Sequence, residues 1–452
     1  TDDSVGLVCT PSTASTPGRD DFAHLPQFWC VEVAAEKKED GSHEIFYVEH
    51  IDDLDDVRSG EHLCWVLQKN TFVREWRADG YQHLQMKCHQ TTGFKQWREG
   101  KDRTGHVYAY IAHPKYYAGK VGGKATCGTG LAPINYTSHT SGVTLWRTRG
   151  TQYSGGSGSL MKFLDRMMRL KYARKGNSGT IEGCTSYNYQ YKAAVAETGV
   201  KRFILTVAQA ANLFVGSAVS IGTDTDGSTD RNVADVHDIA TEVRITAIEP
   251  VTIADSQYSA VYVNVTDTFD TVKDQTLLST MPYFSGWNDA VLGTDGSKYN
   301  ATNGKEPGLL QKVEFMNGSY LIISDELWQW GKDANEDFTF DCYVCKDQSK
   351  VSGTAITEDY VKQENLTLTL PKDLMTSWHW QYIEDTDCGD IEWPTGVQAS
   401  GSGVGCKAGF YCGPSPSGLR AGWCFGNLID GGFDGVACRS SDISVGVAGW
   451  NG

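Results

Sequence analysis

Apolar and polar residues alternate along much of this chain in short runs, and that period of two restricts it to a fold built mainly of strands. The runs FWCVEVAA (28–35), HEIFYVEHI (43–51) and HVYAYIAH (106–113) have this pattern, with Asp40-Gly41 and Asp79-Gly80 as turn signals between strands. RFILTV, SAVSIGT, EVRITAIEPVTI and SAVYVNV repeat it between residues 201 and 281. With 49 glycines and 11% aromatic residues in 452, the composition supplies many tight turns and large side chains for half-buried faces. A chain of this length exceeds what one core holds, so two or three domains are expected.

One segment departs clearly from that period. LMKFLDRMMRLKYARK (160–175) places Leu160, Phe163, Leu164, Met167 and Met168 on one helical face, and Lys162, Asp165, Arg166 and Arg169 largely on the other. Ser157 or Ser159 is positioned to cap it. QYKAAVAETG (190–199) reads as a second helical piece stopped by Gly199. The glycine-rich stretch KVGGKATCGTG (120–130) reads as a flexible connector. The expected class is therefore β-rich α+β. An N-terminal β domain occupies 1–145, a second domain is assembled from 146–200 and 283–452, and a small β-barrel or sandwich is inserted at 201–282.

Charge and motif content exclude several functions. The formal charge of −16 opposes a phosphate-binding surface, so nucleic acid is not an expected partner. No apolar run approaches the ~20 residues that cross a bilayer, so no membrane is expected either. Thirteen cysteines spread along the chain do not form the even, compact framework of a small disulfide-bonded domain. Cys342 and Cys345 have metal-knuckle spacing but sit in a strand-like pattern without a second pair, which favours a structural role. Cys388, Cys406, Cys412, Cys424 and Cys438 remain available for a disulfide in an oxidising environment, with connectivity open.

Asp224, Asp226 and Asp230 in DTDGSTD lack the distal Glu of a calcium loop, and the acidic IDDLDD (51–56) reads as a solvated turn. Arg147 and Arg149 suit a carboxylate interface or a ligand equally. No His forms a metal motif, and Asp430, Asp434 and Asp442 read as solvated loop residues rather than as a hydrolytic pair. No catalytic residue, metal or cofactor is expected. Trp378, Trp380 and Trp393 read as the packing of a loop-rich core.

The tail GLRAGWCFGNLIDGGFDGVACRSSDISVGVAGWNG (418–452) carries Leu419-Arg420, Trp423, the pair Gly431-Gly432 and Trp450. This order resembles the "GLR…W…G…GG…G" end of a C-type-lectin fold of the formylglycine-generating-enzyme type, as used by variable proteins of diversity-generating retroelements and by phage tropism determinants. The wider arrangement over residues 140–452 looks like tail or fibre proteins of phages and prophages of gut bacteria. The resemblance implies a lectin-like domain in which Trp423, Trp450, Gly431 and Gly432 anchor loops. Phe425, Asn427, Leu428, Asp430, Phe433, Asp434, Arg439, Ser440, Asp442 and Ser444 would then be the contact residues, of the kind adaptable binding surfaces favour.

Residues 424–449 contain no Glu, Lys, Gln, Met or Trp. Those are the residues that adenine randomisation of Asn codons ending in a pyrimidine does not produce. Diversified loops and ordinary fixed glycine-rich loops both remain open at this point.

On this reading the chain is a virion protein, a tail-fibre tip or head fibre, that binds a host cell-surface receptor of protein or glycan nature. It would contact other virion proteins and assemble as a homo-oligomer, with a trimer as the form that related tropism proteins suggest. A prophage-encoded surface adhesin is the alternative. A formylglycine-generating-type oxidase is disfavoured, because Cys424 and Cys438 do not reproduce that family's closely spaced reactive pair.

Overall fold

A computed structural model describes residues 2–51, 54–102, 104–134, 137–224, 237–280, 284–298, 304–364, 366–388, 391–398, 405–406, 408–414, 418–426, 430–441 and 444–447. Among the described residues strands account for 43% and helices for 13%, which makes the protein β-rich.

The N-terminal part contains a four-stranded antiparallel sheet in the order His43–Val48, Cys30–Lys37, Leu63–Lys69, Tyr110–Pro114. Val33, Ala34, Ala35, Cys64 and Val66 are buried within it. A second hairpin, Phe72–Ala78 with Tyr81–Lys87, turns at Asp79 and Gly80 as the sequence predicts. The connector expected over 120–130 is instead ordered by burial. Gly119–Val121 pairs with Lys124–Thr126, and the Cys64 N–H donates to the Cys127 carbonyl at 2.8 Å.

Gly158–Tyr172 forms the predicted long helix, with the Ser157 side chain accepting from the Ser159 N–H and Ala173 ending it in the left-handed region at φ 53°. Its apolar stripe is core, as expected. The opposite face is not solvated: Asp165 and Arg166 are both 0% exposed. They are held in a charge network instead. Arg166 pairs with Asp165, with Glu75 at 2.8 Å and with Glu392 at 3.3 Å, while Arg169 reaches Asp165 at 2.5 Å and Glu392 at 3.1 Å. The helix thereby ties the N-terminal hairpin to a C-terminal strand, and pairing offsets the desolvation of these charges. A shorter helix, His139–Arg147, capped by Ser138, precedes it.

The segment 190–199 is not helical. Gln190–Lys192 and Glu197–Val200 are strands, because Tyr187, Tyr189 and Tyr191 stack along one side (centroids 5.6 and 5.5 Å apart) and Gln190–Lys192 pairs with Leu277–Ser279. Gln190–Lys192 belongs to a six-stranded sheet that also takes Arg202–Thr206, Ala218–Thr223, Ala240–Ile253, Ser256–Val263 and Thr276–Ser279, while Glu197–Val200 pairs separately with Phe269–Thr271. Phe203, Leu205, Ile221, Val261 and Leu278 give this block its own core. Asp224 is buried and pairs with Lys192. Asp226 and Asp230 lie outside the described residues.

The C-terminal part is a nine-stranded sheet. Its path runs Tyr360–Lys362, Phe338–Cys345, Leu321–Lys332, Leu419–Phe425, Gly435–Ser440, Gly409–Cys412, His379–Cys388, Glu392–Gln398, with Leu368–Leu370 also pairing against Phe338–Cys345. Only the Gly409–Cys412 and Gly435–Ser440 strands pair in parallel. Trp328, Phe340, Trp393 and Phe410 fill one side, with Trp328 and Trp393 edge to face at 5.0 Å. Cys342 and Cys345 are buried strand residues with free thiols. No helix among the described residues is long and apolar enough to cross a membrane.

Candidate functional site

The glycine-rich tail lies in the middle of the large sheet. Leu419–Phe425 is paired on one side with Leu321–Lys332 and on the other with Gly435–Ser440. This placement divides the ten expected contact residues. Phe425, Arg439 and Ser440 are 1%, 0% and 3% exposed, and Asp434 is 3% exposed, so these four face the interior and are not contact residues.

Phe425 takes φ 73° at a register shift, which turns its ring toward Tyr117 and Phe315 in the core of the long helix. A side chain at the following Gly426 would collide with the Asp434 carboxylate, so this turn requires glycine. Arg439 donates to the Cys438 and Glu392 carbonyls at 3.0 Å each. Asp430, Phe433 and Ser444 are half-buried and reach the surface. Asn427, Leu428 and Asp442 lie outside the described residues, as does Trp450. Trp423 is buried at 2% and packs against Tyr320 at 5.4 Å. The Gly431 N–H donates to the Thr185 carbonyl at 3.1 Å.

The surface over this part of the sheet is made by residues the sequence analysis placed in a core. On the His379–Cys388 strand, Gln381 and Ile383 are 0% exposed, while Trp380 and Tyr382 are half-buried and Glu384 is exposed. The aromatic residues therefore occupy the outward positions of a period-two strand. Tyr411 is the outward residue of the neighbouring strand, its ring 5.1 Å from Trp380 and 5.8 Å from Trp378.

Phe433, delivered by the short turn Gly431–Phe433, lies flat over Trp380 at 5.3 Å and Tyr382 at 4.5 Å. Two glycines make room. A Cβ on Gly409 would stand 2.6 Å from Trp380 and 2.9 Å from Phe433, and one on Gly413 would run into the Trp378 indole. Trp378 is 39% exposed, so one face of its ring is open while the other lies on backbone. At the edge of this ledge Asp430 accepts from the Tyr320 hydroxyl at 2.5 Å. The only sequence signal for the ledge was the spacing W-H-W-Q-Y at 378–382, which puts three rings on one strand face.

Of the residues considered for other chemistry, Cys424 and Cys438 are both buried, and burial pushes their thiols well above the ordinary range. Cys406, Cys412, Cys424 and Cys438 are free thiols, so none of these four is held in a disulfide. Arg149 pairs with Glu36 at 3.1 Å, and Arg147 donates to the Val351 carbonyl at 2.5 Å, so both serve structure. Cys9, Asp20 and Asp295 converge as a metal site would, but the Lys171 ammonium already sits among them, 2.9 Å from Asp20 and 2.7 Å from Asp295. No family model matches the chain, and a comparison with curated proteins finds no match.

Proposed function

We propose that the chain is a bacteriophage virion protein, a tail-fibre tip or head fibre, that binds a host-surface receptor through the outward face of a lectin-like C-terminal domain. The N-terminal domain would attach it to the particle. The observation that supports this reading is the ledge of Trp378, Trp380, Tyr382, Tyr411 and Phe433, carried on the strands next to the tail in the same sheet and on the tail's own Gly431–Phe433 turn. Rigid aromatic residues half-open to solvent are common energetic anchors in binding surfaces. Their negative ring faces suit the C–H faces of sugar rings, which favours a glycan receptor. In a trimer, several such ledges acting together would compensate for weak single contacts.

Buried positions also bound any diversification. Within residues 424–449, substitution at Arg439, Asp434, Ser440 or Phe425 disturbs the interior. Among the described contact residues only Asp430, Phe433 and Ser444 reach the surface, where a substitution changes the outward face.

The test is binding of the purified chain to a panel of intact gut-bacterial strains. For a strain that binds, the cells are then treated with periodate or with protease. Loss of binding after periodate alone supports the glycan reading; loss after protease alone refutes the glycan and leaves a protein receptor. Sequences of the coding region in relatives would show whether substitutions concentrate at 430, 433 and 444.

A further inference from the structure

Between the N-terminal sheet and the C-terminal body lies a cavity of about 490 Å³, of the size small-molecule sites have and at a junction of the kind where they form. Its wall is largely aromatic: Trp65, Tyr108, Tyr116, Trp146 and Tyr153 all line it. Several lining residues present buried polar atoms with no hydrogen-bond partner among the described residues. Both carboxylate oxygens of Glu99 accept no hydrogen bond, His113, only 2% exposed, has an unpartnered Nε2, and so has His43. Buried polar groups are nearly always paired, so such a set of orphan atoms in one cavity wall needs an explanation.

Among the described residues none supplies the missing partner of Glu99. Arg98, next to Glu99, is engaged by Asp325, Ser157 and Ser159. Burial pushes the His113 imidazole below its ordinary range against the pull of Glu99, so it stays neutral and brings no positive charge. Lys37, Lys101, Asp102 and Asp347 also line the cavity, and burial together with Arg98 pulls the Lys37 ammonium down to about 8. Neither lysine hydrogen-bonds Glu99.

We infer that this cavity binds a small organic cation, a primary amine carried on an aromatic or apolar body, with the ammonium at Glu99 and His113 and the body against the aromatic wall. An ammonium supplies the N–H donors that the Glu99 carboxylate and a neutral His113 Nε2 lack. Aromatic faces attract the same charge. The formal charge of −16 raises the local concentration of any cation. This site is separate from the C-terminal ledge, and its test does not depend on the receptor reading.

The experiment is calorimetric titration of the full chain with three compounds of one shape: tyramine, the corresponding neutral alcohol tyrosol, and the anion 4-hydroxyphenylacetate. Saturable binding of tyramine at one per chain is expected, with tyrosol at least about tenfold weaker and the anion weaker still. Glu99→Gln, checked for an unchanged melting temperature, is expected to bring tyramine and tyrosol to within about threefold of each other. Binding of the anion as tight as the amine, or no saturable binding of tyramine, overturns the inference on the unmodified protein alone. An unchanged preference for the amine in a folded Glu99→Gln variant overturns it as well.

Discussion

Phe433 lies over Tyr382 with ring centroids 4.5 Å apart and planes 24° from parallel, which clamps the Gly431–Phe433 turn to the strand carrying Trp380 and Tyr382. The turn is therefore part of the ledge rather than a loose loop above it. Phe433→Ala removes two stacked contacts and is expected to cost about 1–3 kcal/mol of stability, whereas Phe433→Tyr keeps the stack and costs less than about 1 kcal/mol. Chemical denaturation of the two variants measures the difference.

Arg439 was a contact candidate on sequence, and its burial turns the same mutation into a test of folding. It is 0% exposed and lies among the Cys438 and Glu392 carbonyls and the Glu326 carboxyl. Arg439→Ala leaves those acceptors without a donor and is expected to destabilise by about 3–5 kcal/mol. Trp378→Ala, at an exposed ring, is expected to cost under about 1.5 kcal/mol. Equal costs for the two variants would contradict the assignment of inside and outside.

The Arg166 network makes a different kind of prediction, about coupling between parts of the chain. Arg166 joins Glu75 of the N-terminal hairpin to Glu392 of the C-terminal sheet through a fully buried guanidinium. Arg166→Ala strands buried carboxylates and is expected to cost about 3–5 kcal/mol, while Arg166→Met combined with Glu75→Leu recovers much of it. Melting curves of the single and paired variants show whether the loss is the broken pair or the lost volume.

Glu314 sets a pH dependence. Burial, reinforced by Asp289, pushes its carboxyl up to about 8 against the pull of the Asn288 and Gly286 N–H groups and Lys115. The folded state therefore holds a proton that the unfolded chain releases near its ordinary value. The stability contributed is complete below the unfolded pKa and is lost as pH rises through about 8. The melting temperature is expected to fall across that window, and Glu314→Gln, which keeps an acceptor and carries no charge, is expected to flatten the fall.

Local chemistry made much of the fold legible in the sequence. The period-two runs became strands, and the apolar stripe of 160–168 became a core face with Ser157 as its cap. What could not be read was order in space. Gln190–Lys192 looked helical because nothing in its composition announces that Leu277–Ser279 lies alongside. The burial of Arg166 could not be read because its partners Glu75 and Glu392 are distant in sequence. The tail was misjudged for the same reason. Its glycines suggested loops, yet pairing with Leu321–Lys332 buries Phe425 and Arg439 and leaves the outward face to Trp378, Trp380 and Tyr411.

The most direct measurement of the central claim is binding of Trp378→Ala, Tyr411→Ala and the double variant to cells of a strain that the unmodified chain binds, each variant first shown to melt as the parent does. The account predicts at least about a tenfold loss for each single variant and near-complete loss for the double. Unchanged binding by a folded double variant would contradict it.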